Sequence, residues 1–576
     1  MKQIGKLFIK PTTTIKETMQ VITEAPHLKL PVGIALVTSP KGELMGTVTD
    51  GDIRKALVRG VAMEERVEKI MARNPITVDE GLGIDEMLKM MTQKVKSSGR
   101  IRDQKVDKLI VVDKMNRVTN VVDFYDLWHK QEVRYKRISI VGSGHVGLTL
   151  AVVLAELGYQ VTGVDINKQL VGALNQGKVP FYEKGLKPLL DFHLKESNIS
   201  FTSNLKEGLS DIYIICVGTP IDSKTKEPDN SALKKATEDI GAVLKKEDLV
   251  ILRSTVSVGT TRNLVKPILE KKSSLKAGID FYLVFAPERV VEGNALEEIR
   301  EIPQIIGGIN KKSIQEATRV LQTIGPSVVM LDSLEEAEMI KLINNAYRDH
   351  SFAFANKMVL LCHQLNLDAV KIIKAASEGY PRNTLPLPSP GVGGYCLTKD
   401  PYILADVAKR NRISPDIFIY SRKINNAMPR FVAAKVLNFL KNNWKTEKRI
   451  KIYCMGFAFK GYPETSDMRG SIAIEVINIL QQKFPGRFYI CGYDAIVSKE
   501  EMSRLNIEYL DYKKGFANAH CALILNNHPE FSKIDIFNLL RTMRKPGLLF
   551  DGWHFFASKE INKVAGIKYQ GLGGFD

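Results

Sequence analysis

The chain has 576 residues, 44% of them hydrophobic and 25% charged, a composition that excludes a disordered or fibrous chain and leaves material for several cores. Nowhere do about 18 uninterrupted apolar residues occur, and Met1-Lys-Gln-Ile-Gly-Lys6 opens no signal peptide, so a cytoplasmic protein without a membrane span is expected. The formal net charge is +18, but Lys and Arg are mixed with Asp and Glu along the whole length, which argues for solvated basic faces or a positive field that speeds capture of phosphates, and against nucleic acid as the partner.

Two similar units open the chain. The first reads Gly33-Ile-Ala-Leu-Val-Thr38, a turn at Pro40-Lys-Gly42, then Leu44 to Thr49 and Asp52; the second reads Leu109 to Asp113, a turn at Lys114 to Arg117, then Val118 to Asp123 and Asp126. Each predicts strand, tight turn, strand and acidic helix start, about 74 residues apart, which points to an internal duplication packed as one domain over residues 1–132. This stretch resembles a tandem pair of cystathionine-β-synthase-type (CBS) motifs, whose second strand ends in G-x-x-T-x-x-D. The resemblance implies an adenine nucleotide held at its ribose by Thr49 and Asp52. The second copy has Asn120 and Asp123 where the pattern has Gly and Thr, and a carboxylate at Asp123 repels phosphate, so one nucleotide site at most is expected. A dimerisation module without ligand is the alternative.

Residues 133–326 predict a dinucleotide-binding unit. Ile138 to Val141 reads as a strand, Gly142-Ser-Gly144-His145-Val146-Gly147 as a glycine-rich turn into an apolar helix, and Gln160 to Val164 as a second strand closed by Asp165. A lone GxGxxG is weak; set between strand and helix, with an acidic residue about twenty positions later, it is strong. The glycines admit a pyrophosphate to the helix N-terminus, and Asp165 accepts from an adenosine ribose, favouring NAD over NADP. His145 reads as a spacer, and Cys216, in an apolar strand, as core. Thr219, Thr255 and Glu288 follow predicted strands and are candidates for one crevice at the strands' carboxyl ends.

From Leu334 to about Leu365 the pattern is one long amphipathic helix, with Met339, Leu342, Ile343, Ala346 and Phe352 on one side; Lys341 and Asn345, four apart, share a face. Pro390-Gly-Val-Gly393-Gly-Tyr-Cys396-Leu-Thr-Lys399-Asp400 then sets a thiol behind glycines with a cation and a carboxylate a helical turn on. That is a nucleophile with its activating groups, or equally a buried structural cysteine after a flexible turn. The other five cysteines form no CxxC pair, and the nine histidines form no ligand cluster, so neither disulfides nor a metal are expected. After the central stretch, 327–430, residues 431–576 repeat a half-Rossmann pattern: strand Arg449 to Met455, loop Gly456-Phe-Ala-Phe-Lys460, helix Ser471 to Leu480, strand Arg487 to Asp494. Here the loop carries a lysine, suited to a diphosphate.

In order, Gly142-Ser-Gly-His-Val-Gly147, Val217-Gly-Thr-Pro220, Ser254-Thr-Val256, Pro287-Glu-Arg-Val290 with Glu292-Gly293, Lys341-Leu-Ile-Asn-Asn-Ala-Tyr347, Gly393-Gly-Tyr-Cys-Leu-Thr-Lys-Asp400 and Gly456-Phe-Ala-Phe-Lys460 resemble the nucleotide-sugar 6-dehydrogenase family over roughly three quarters of the chain. The resemblance implies an α/β protein of two Rossmann-like doubly wound domains joined by a central helical dimerisation domain, a homodimer or higher assembly, and oxidation of a UDP-sugar C6 alcohol to the acid by two hydride transfers to NAD. It implies Cys396 as the nucleophile, its pKa lowered by Lys399 and Lys341; Asp400 with Lys341 holding a basic water; Asn345 as a donor to the reacting oxygen; and Glu288 with Thr255 serving thioester hydrolysis. Arg289, Arg382, Gly393, Lys460 and Arg469 are implied substrate contacts, Arg382 from the neighbouring subunit. Arg289 and Arg382 resemble the 2-acetamido branch (UDP-N-acetylglucosamine or UDP-N-acetylmannosamine), whereas Lys399 ahead of Asp400 resembles the UDP-glucose branch. Relatives carry an arginine after the Asp-Gly pair where this chain has Trp553, a residue able to stack on a base. A catalytically silent nucleotide sensor and a β-hydroxyacid dehydrogenase are the competing readings; the second lacks the cysteine loop.

Overall fold

A computed structural model describes residues 4–25, 33–73, 75–82, 108–123, 136–382 and 384–573. The chain divides into two compact units, Met1–Tyr135 and Lys136–Asp576. In the first, strand Phe8–Ile9 runs parallel to Ile34–Thr38, which turns back onto Leu44–Thr49. Thr77–Asp79, Lys108–Val112 and Val118–Asp123 repeat that order and those directions. Both hairpins slip register at equivalent places, Val37/Thr38 and Val111/Val112, a shared irregularity that marks the duplication. Strand alternation sends Ile34 and Leu36 into a core with Ile110 and Val112 of the second copy, and Ala35 and Val37 into a core with Ile15, Ile22 and Ile53.

Thr49 caps the helix Asp50–Val58: its hydroxyl accepts from Asp52 N (3.2 Å), while Asp52 Oδ2 accepts from Thr49 N (2.9 Å) and Thr49 Oγ1 (2.7 Å). The Thr-x-x-Asp spacing is thus also a reciprocal capping box, which fixes where the helix starts. Asp126 lies outside the described residues.

The second unit opens with an eight-stranded sheet. From edge to edge its strands are Val328–Leu331, Gln304–Gly308, Tyr282–Phe285, Leu249–Leu252, Ile212–Ile215, Arg137–Val141, Gln160–Val164 and Ile199–Thr202. All neighbours are parallel except Tyr282–Phe285 against Gln304–Gly308. The sequence strand order reverses between Arg137–Val141 and Ile212–Ile215, which opens a crevice at their carboxyl ends. Central strands such as Leu249–Leu252 are buried throughout, as parallel strands covered on both faces must be.

The helix Leu334–Gln364 follows, started by a Ser333/Glu336 capping box. Leu342 and Ala346 are buried on its inner side as expected, but Ile343 is 51% exposed, because the buried stripe is narrower than the apolar pattern. The helix packs on Asp416–Asn443 through a polar seam: Arg422 Nη1 donates to Asp349 Oδ1 (2.6 Å), Asn425 Nδ2 to the same oxygen (2.8 Å), and Asn356 Nδ2 to Asn425 Oδ1 (3.0 Å). Asn356 Oδ1 in turn accepts from Ser389 N (2.9 Å), so the seam holds the start of the glycine loop. A six-stranded, all-parallel sheet completes the unit in the order Glu508–Tyr509, Phe488–Tyr493, Ile450–Met455, Cys521–Ile524, Gly547–Asp551, Ile567–Gly571. Among the described residues no helix is long and apolar enough to cross a membrane.

Candidate active site

At the first switch point lies a cavity of about 490 Å³ lined by Gly142, Gly144, Asp165, Ile166, Val217 and Gly218 among others. Gly142 has φ +99°, and a Cβ on Gly147 would stand 1.8 Å from Gly142 O, so neither position admits a side chain. A Cβ on Gly144 would meet nothing within 4 Å: the space over the N-terminus of helix His145–Glu156 is open where a pyrophosphate belongs. Asp165 closes the second strand, its Oδ2 accepting from Ser143 N and its Oδ1 from Asn167 N (both 2.9 Å). Val146 lies within the first turn of that helix. His145 is more than a spacer, since its Nε2 lies 3.0 Å from the buried Glu183 Oε2, and Glu183 also accepts from Gly293 N (2.7 Å) and Ala295 N (2.8 Å). Cys216 lines this cavity instead of lying wholly in the core, and burial pushes its thiol up to about 12, leaving it unreactive.

The crevice continues to the cysteine loop. Thr219 Oγ1 donates to Thr255 O (2.5 Å) and Ser254 Oγ to Val217 O (2.7 Å), joining two strand ends of the cofactor domain. Tyr395 Oη comes within 3.7 Å of a Cβ built on Gly218. On the other side Gly394 N donates to Arg469 O (3.2 Å), and a Cβ on Gly393 would meet Gly470 O at 2.3 Å. The loop is therefore clasped between the first sheet's domain and the second's. Asp400 N donates to Cys396 O (2.9 Å), turning the loop into helix Asp400–Arg410 and leaving Cys396 exposed at its mouth.

Asp400 is fully buried, accepting from Lys399 Nζ (2.6 Å) on Oδ1 and from Asn345 Nδ2 (2.5 Å) on Oδ2. Asn345 and Lys399 thus orient Asp400, each with one of its N–H groups. Desolvation alone would lower the Lys399 pKa, but Asp400 and Cys396 outweigh it and the net shift is upward. The Cys396 thiol is pushed up, against expectation: desolvation and Asp400 together outweigh Lys341 and Lys399, which pull it down. Two basic neighbours lower a thiol only where carboxylates and burial do not offset them.

Glu288 is buried within the cofactor domain, its Oε2 accepting from Arg253 Nη2 (2.5 Å) and its Oε1 from Arg289 N (2.9 Å). Arg289 turns its guanidinium to Pro303 O. Arg382 is exposed, stacked 4.7 Å over the Tyr380 ring. Lys460 and Arg469 do converge, and on a residue to which the sequence assigned no role. Lys460 Nζ donates to Glu292 O (2.5 Å), and Arg469 Nη2 reaches Glu292 Oε1 at 3.4 Å while its guanidinium lies 4.7 Å over Tyr395. Burial pushes the Glu292 carboxyl up, Asp467 adds to this, and His145 and Arg469 oppose it. Glu292 also acts on the Cys396 thiol. Its position four residues after Glu288, before a glycine, was the available signal. Trp553 is part-buried, its N–H bonded to Asp551 Oδ1 (3.1 Å) and its indole N–H buried without a partner among the described residues.

The chain matches the models of the UDP-glucose/GDP-mannose dehydrogenase family in three successive pieces: the NAD binding domain (residues 136–325), the central domain (335–427) and the UDP binding domain (453–558). Residues 5–59 match the CBS domain. The chain is 31% identical over 443 residues to UDP-N-acetyl-D-mannosamine dehydrogenase of Pyrococcus horikoshii, covering 76% of this chain and 99% of that protein. It is 31% identical over 410 residues to NDP-N-acetyl-D-galactosaminuronic acid dehydrogenase of Ralstonia solanacearum, covering 70% and 93%. Among solved structures, the UDP-N-acetylmannosamine dehydrogenases of P. horikoshii and Staphylococcus aureus superpose with TM-scores of 0.68 and 0.65, each at 30% identity, covering 76% of this chain and 99% and 98% of theirs.

Proposed function

The chain belongs to the UDP-glucose/GDP-mannose dehydrogenase family and is an NAD-dependent nucleotide-sugar dehydrogenase; from that premise we propose that it oxidises the C6 alcohol of a UDP-2-acetamido sugar to the carboxylate through a thioester on Cys396. The observation that carries the reading is an exposed thiol on a loop clasped between the dinucleotide cavity and the Lys460/Arg469 corner, with Lys341, Lys399 and Asp400 acting on it. UDP-N-acetylmannosamine and UDP-N-acetylglucosamine are the favoured substrates; the first acetamido sugar is the one that the Pyrococcus and Staphylococcus relatives are named for. Arg289, bonded to Pro303 O, gives less support to that choice than its sequence context did.

NAD, when bound, accepts the hydride in each of the two oxidations. Asp400, held by Lys399 and Asn345, would together with Lys341 keep a water that takes the alcohol proton. The Cys396 thiolate adds to the aldehyde carbon, and departure of the second hydride leaves a thioester. Water then breaks the C–S bond, releasing carboxylate and thiol. For Glu288 to activate that water, with Thr255 orienting it, the Arg253 pair must open, whereas Glu292 already acts on Cys396. E288Q and E292Q separate the two: the variant lacking the activating group gives a burst of NADH and stops at the acyl-enzyme.

NADH formation across UDP-glucose, UDP-N-acetylglucosamine and UDP-N-acetylmannosamine is the test, with C396S as control. The variant is expected to bind NAD and substrate but to make no acid, and acid made at the wild-type rate would overturn the mechanism. A higher kcat/KM for UDP-glucose than for both acetamido sugars would overturn the substrate assignment.

The same reading makes the enzyme a homodimer through the long central helix, which leaves Ile343, Tyr347, Phe354 and Leu361 exposed along its length (51%, 68%, 45% and 48%). Arg382 then serves the neighbouring subunit. An adenine nucleotide at Thr49 and Asp52 of the CBS repeat would modulate activity; calorimetry with AMP and ATP, beside Asp52→Ala, tests this, and absence of binding heat with both leaves the repeats as an assembly module.

A further inference from the structure

We propose that Glu338 is a positioning residue that couples the dinucleotide-binding loops to the Cys396 thiol through the helix it shares with Lys341. Glu338 lies one turn before Lys341 on Leu334–Gln364 and is completely buried. Its Oε2 accepts from Gly259 N (2.5 Å), and its Oε1 from Thr261 N (2.8 Å) and Thr261 Oγ1 (2.5 Å). The charged groups facing it are Glu335 on its own helix and Arg262 on the π-helical turn Thr261–Val265, and these are paired with each other at 2.6 Å. A carboxylate so placed carries a large desolvation cost, and hydrocarbon of the same shape would pack as well. What hydrocarbon cannot do is fix two backbone N–H groups and a hydroxyl.

Those groups belong to the segment that begins at Ser254. Ser254 and Thr255 are bonded to Val217 and Thr219, and Val217 and Gly218 line the dinucleotide cavity. A bonded path therefore runs from the cavity wall through Ser254–Thr261 to Glu338, and along one helical turn to Lys341. Lys341 is the strongest of the groups that pull the Cys396 thiol down. How near Lys341 stands to the thiol sets how far it offsets the upward push of desolvation and Asp400, and Glu338 ties the helix that carries Lys341 to the cofactor loops. The tie depends on ionisation: burial pushes the Glu338 carboxyl up to about 7, against the pull of the Thr261 hydroxyl and the Thr261 and Gly259 N–H groups, with Glu335 adding to the rise. Above that pH both oxygens accept; below it one carries a proton and loses an N–H partner.

The proposal needs NAD binding and the thiol, and not the identity of the sugar or a thioester, so it fails separately from the reading above. The test is alkylation of Cys396 by iodoacetamide across a pH series, in the full chain with and without saturating NAD, with C396S correcting for other thiols and occupancy checked by nucleotide titration. The thiol pKa taken from each profile is compared, because a steric block by NAD changes rate but not midpoint. NAD is expected to shift the midpoint in the wild type, with the shift lost in E338Q and K341M and reduced in T261V, which keeps the shape and the N–H but drops one of the three bonds. An equal shift in wild type and E338Q overturns the proposal, as does a wild type whose midpoint ignores NAD. If E338Q does not fold, T261V decides: a midpoint shift equal to that of the wild type overturns it.

Discussion

The two open sheets of the second unit share the order 3-2-1-4-5-6 in their first six strands and use their first loop in opposite ways. Both put a loop after the first strand and an aspartate after the second, Asp165 in one and Asp494 in the other. Asp165 sits at the lip of the cavity, gives one hydrogen bond's worth of support to the loop, through Ser143 N, and keeps a solvent-facing side for a ribose. Asp494 is 3% exposed and wholly consumed: Oδ2 accepts from Phe457 N (2.6 Å) and Ala458 N (3.0 Å), and Oδ1 from Ile496 N (2.8 Å) and Val497 N (2.9 Å). In the first sheet glycines bring backbone to the ligand; in the second an internal carboxylate holds the backbone, and the charge for the ligand is delegated to Lys460. An acidic residue closing the second strand therefore does not by itself announce a ribose site.

The sharpest way to break this comparison is to remove the two aspartates in turn. Asp494→Ala strands four backbone N–H groups, two of them on the substrate loop, and is expected to cost about 3–5 kcal/mol. A fall in the urea midpoint, with NAD affinity unchanged in whatever folds, is the expected result; a fully stable variant would mean that water replaces the carboxylate and that the second loop is ligand-held like the first.

Asp165→Ala is expected to do the reverse. Stability should fall by about 1 kcal/mol, as for loss of a cap. KM for NAD should rise roughly 10- to 100-fold, the value of hydrogen bonds to a charged acceptor, with weaker discrimination against NADP. Steady-state kinetics with both cofactors read this directly, and unchanged kinetics would remove Asp165 from the cofactor site.

The contrast also marks what the sequence could carry. Glycine spacing, the acidic strand end and the cysteine motif are local, so the dinucleotide cavity, the central helix and the loop at Cys396 were legible from residue order. What was not legible depends on contacts between segments far apart in the chain. The Arg253–Glu288 pair joins positions 35 apart, and Glu292 meets Lys460 across 168 residues. The direction of the Cys396 shift was misread because spacing displays Lys341 and Lys399 but not the desolvation by the surrounding protein that, with Asp400, outweighs them. Strands Cys521–Ile524 and Ile567–Gly571 carry no motif and reveal themselves only as partners of neighbours already placed.

Lys460 is where the comparison predicts its smallest and most specific effect. Burial lowers its pKa to about 8, with Arg348 adding to the fall and Glu292 opposing it, whereas no lysine takes part in the glycine-rich turn of the first sheet. The cation is the form that meets a diphosphate, so the favourable state is present below about 8 and is lost as pH rises through it. A bound phosphate would itself hold the proton on, so the inflection belongs to the free enzyme and appears in kcat/KM for the nucleotide sugar. The expected loss is about fivefold, close to 1 kcal/mol for one partly solvated charge contact, with no matching inflection in NAD affinity. Lys460→Met should carry that penalty at every pH and show a flat profile. An inflection near 8 that survives in Lys460→Met would assign the titration to another group and leave the second loop without its distinguishing charge.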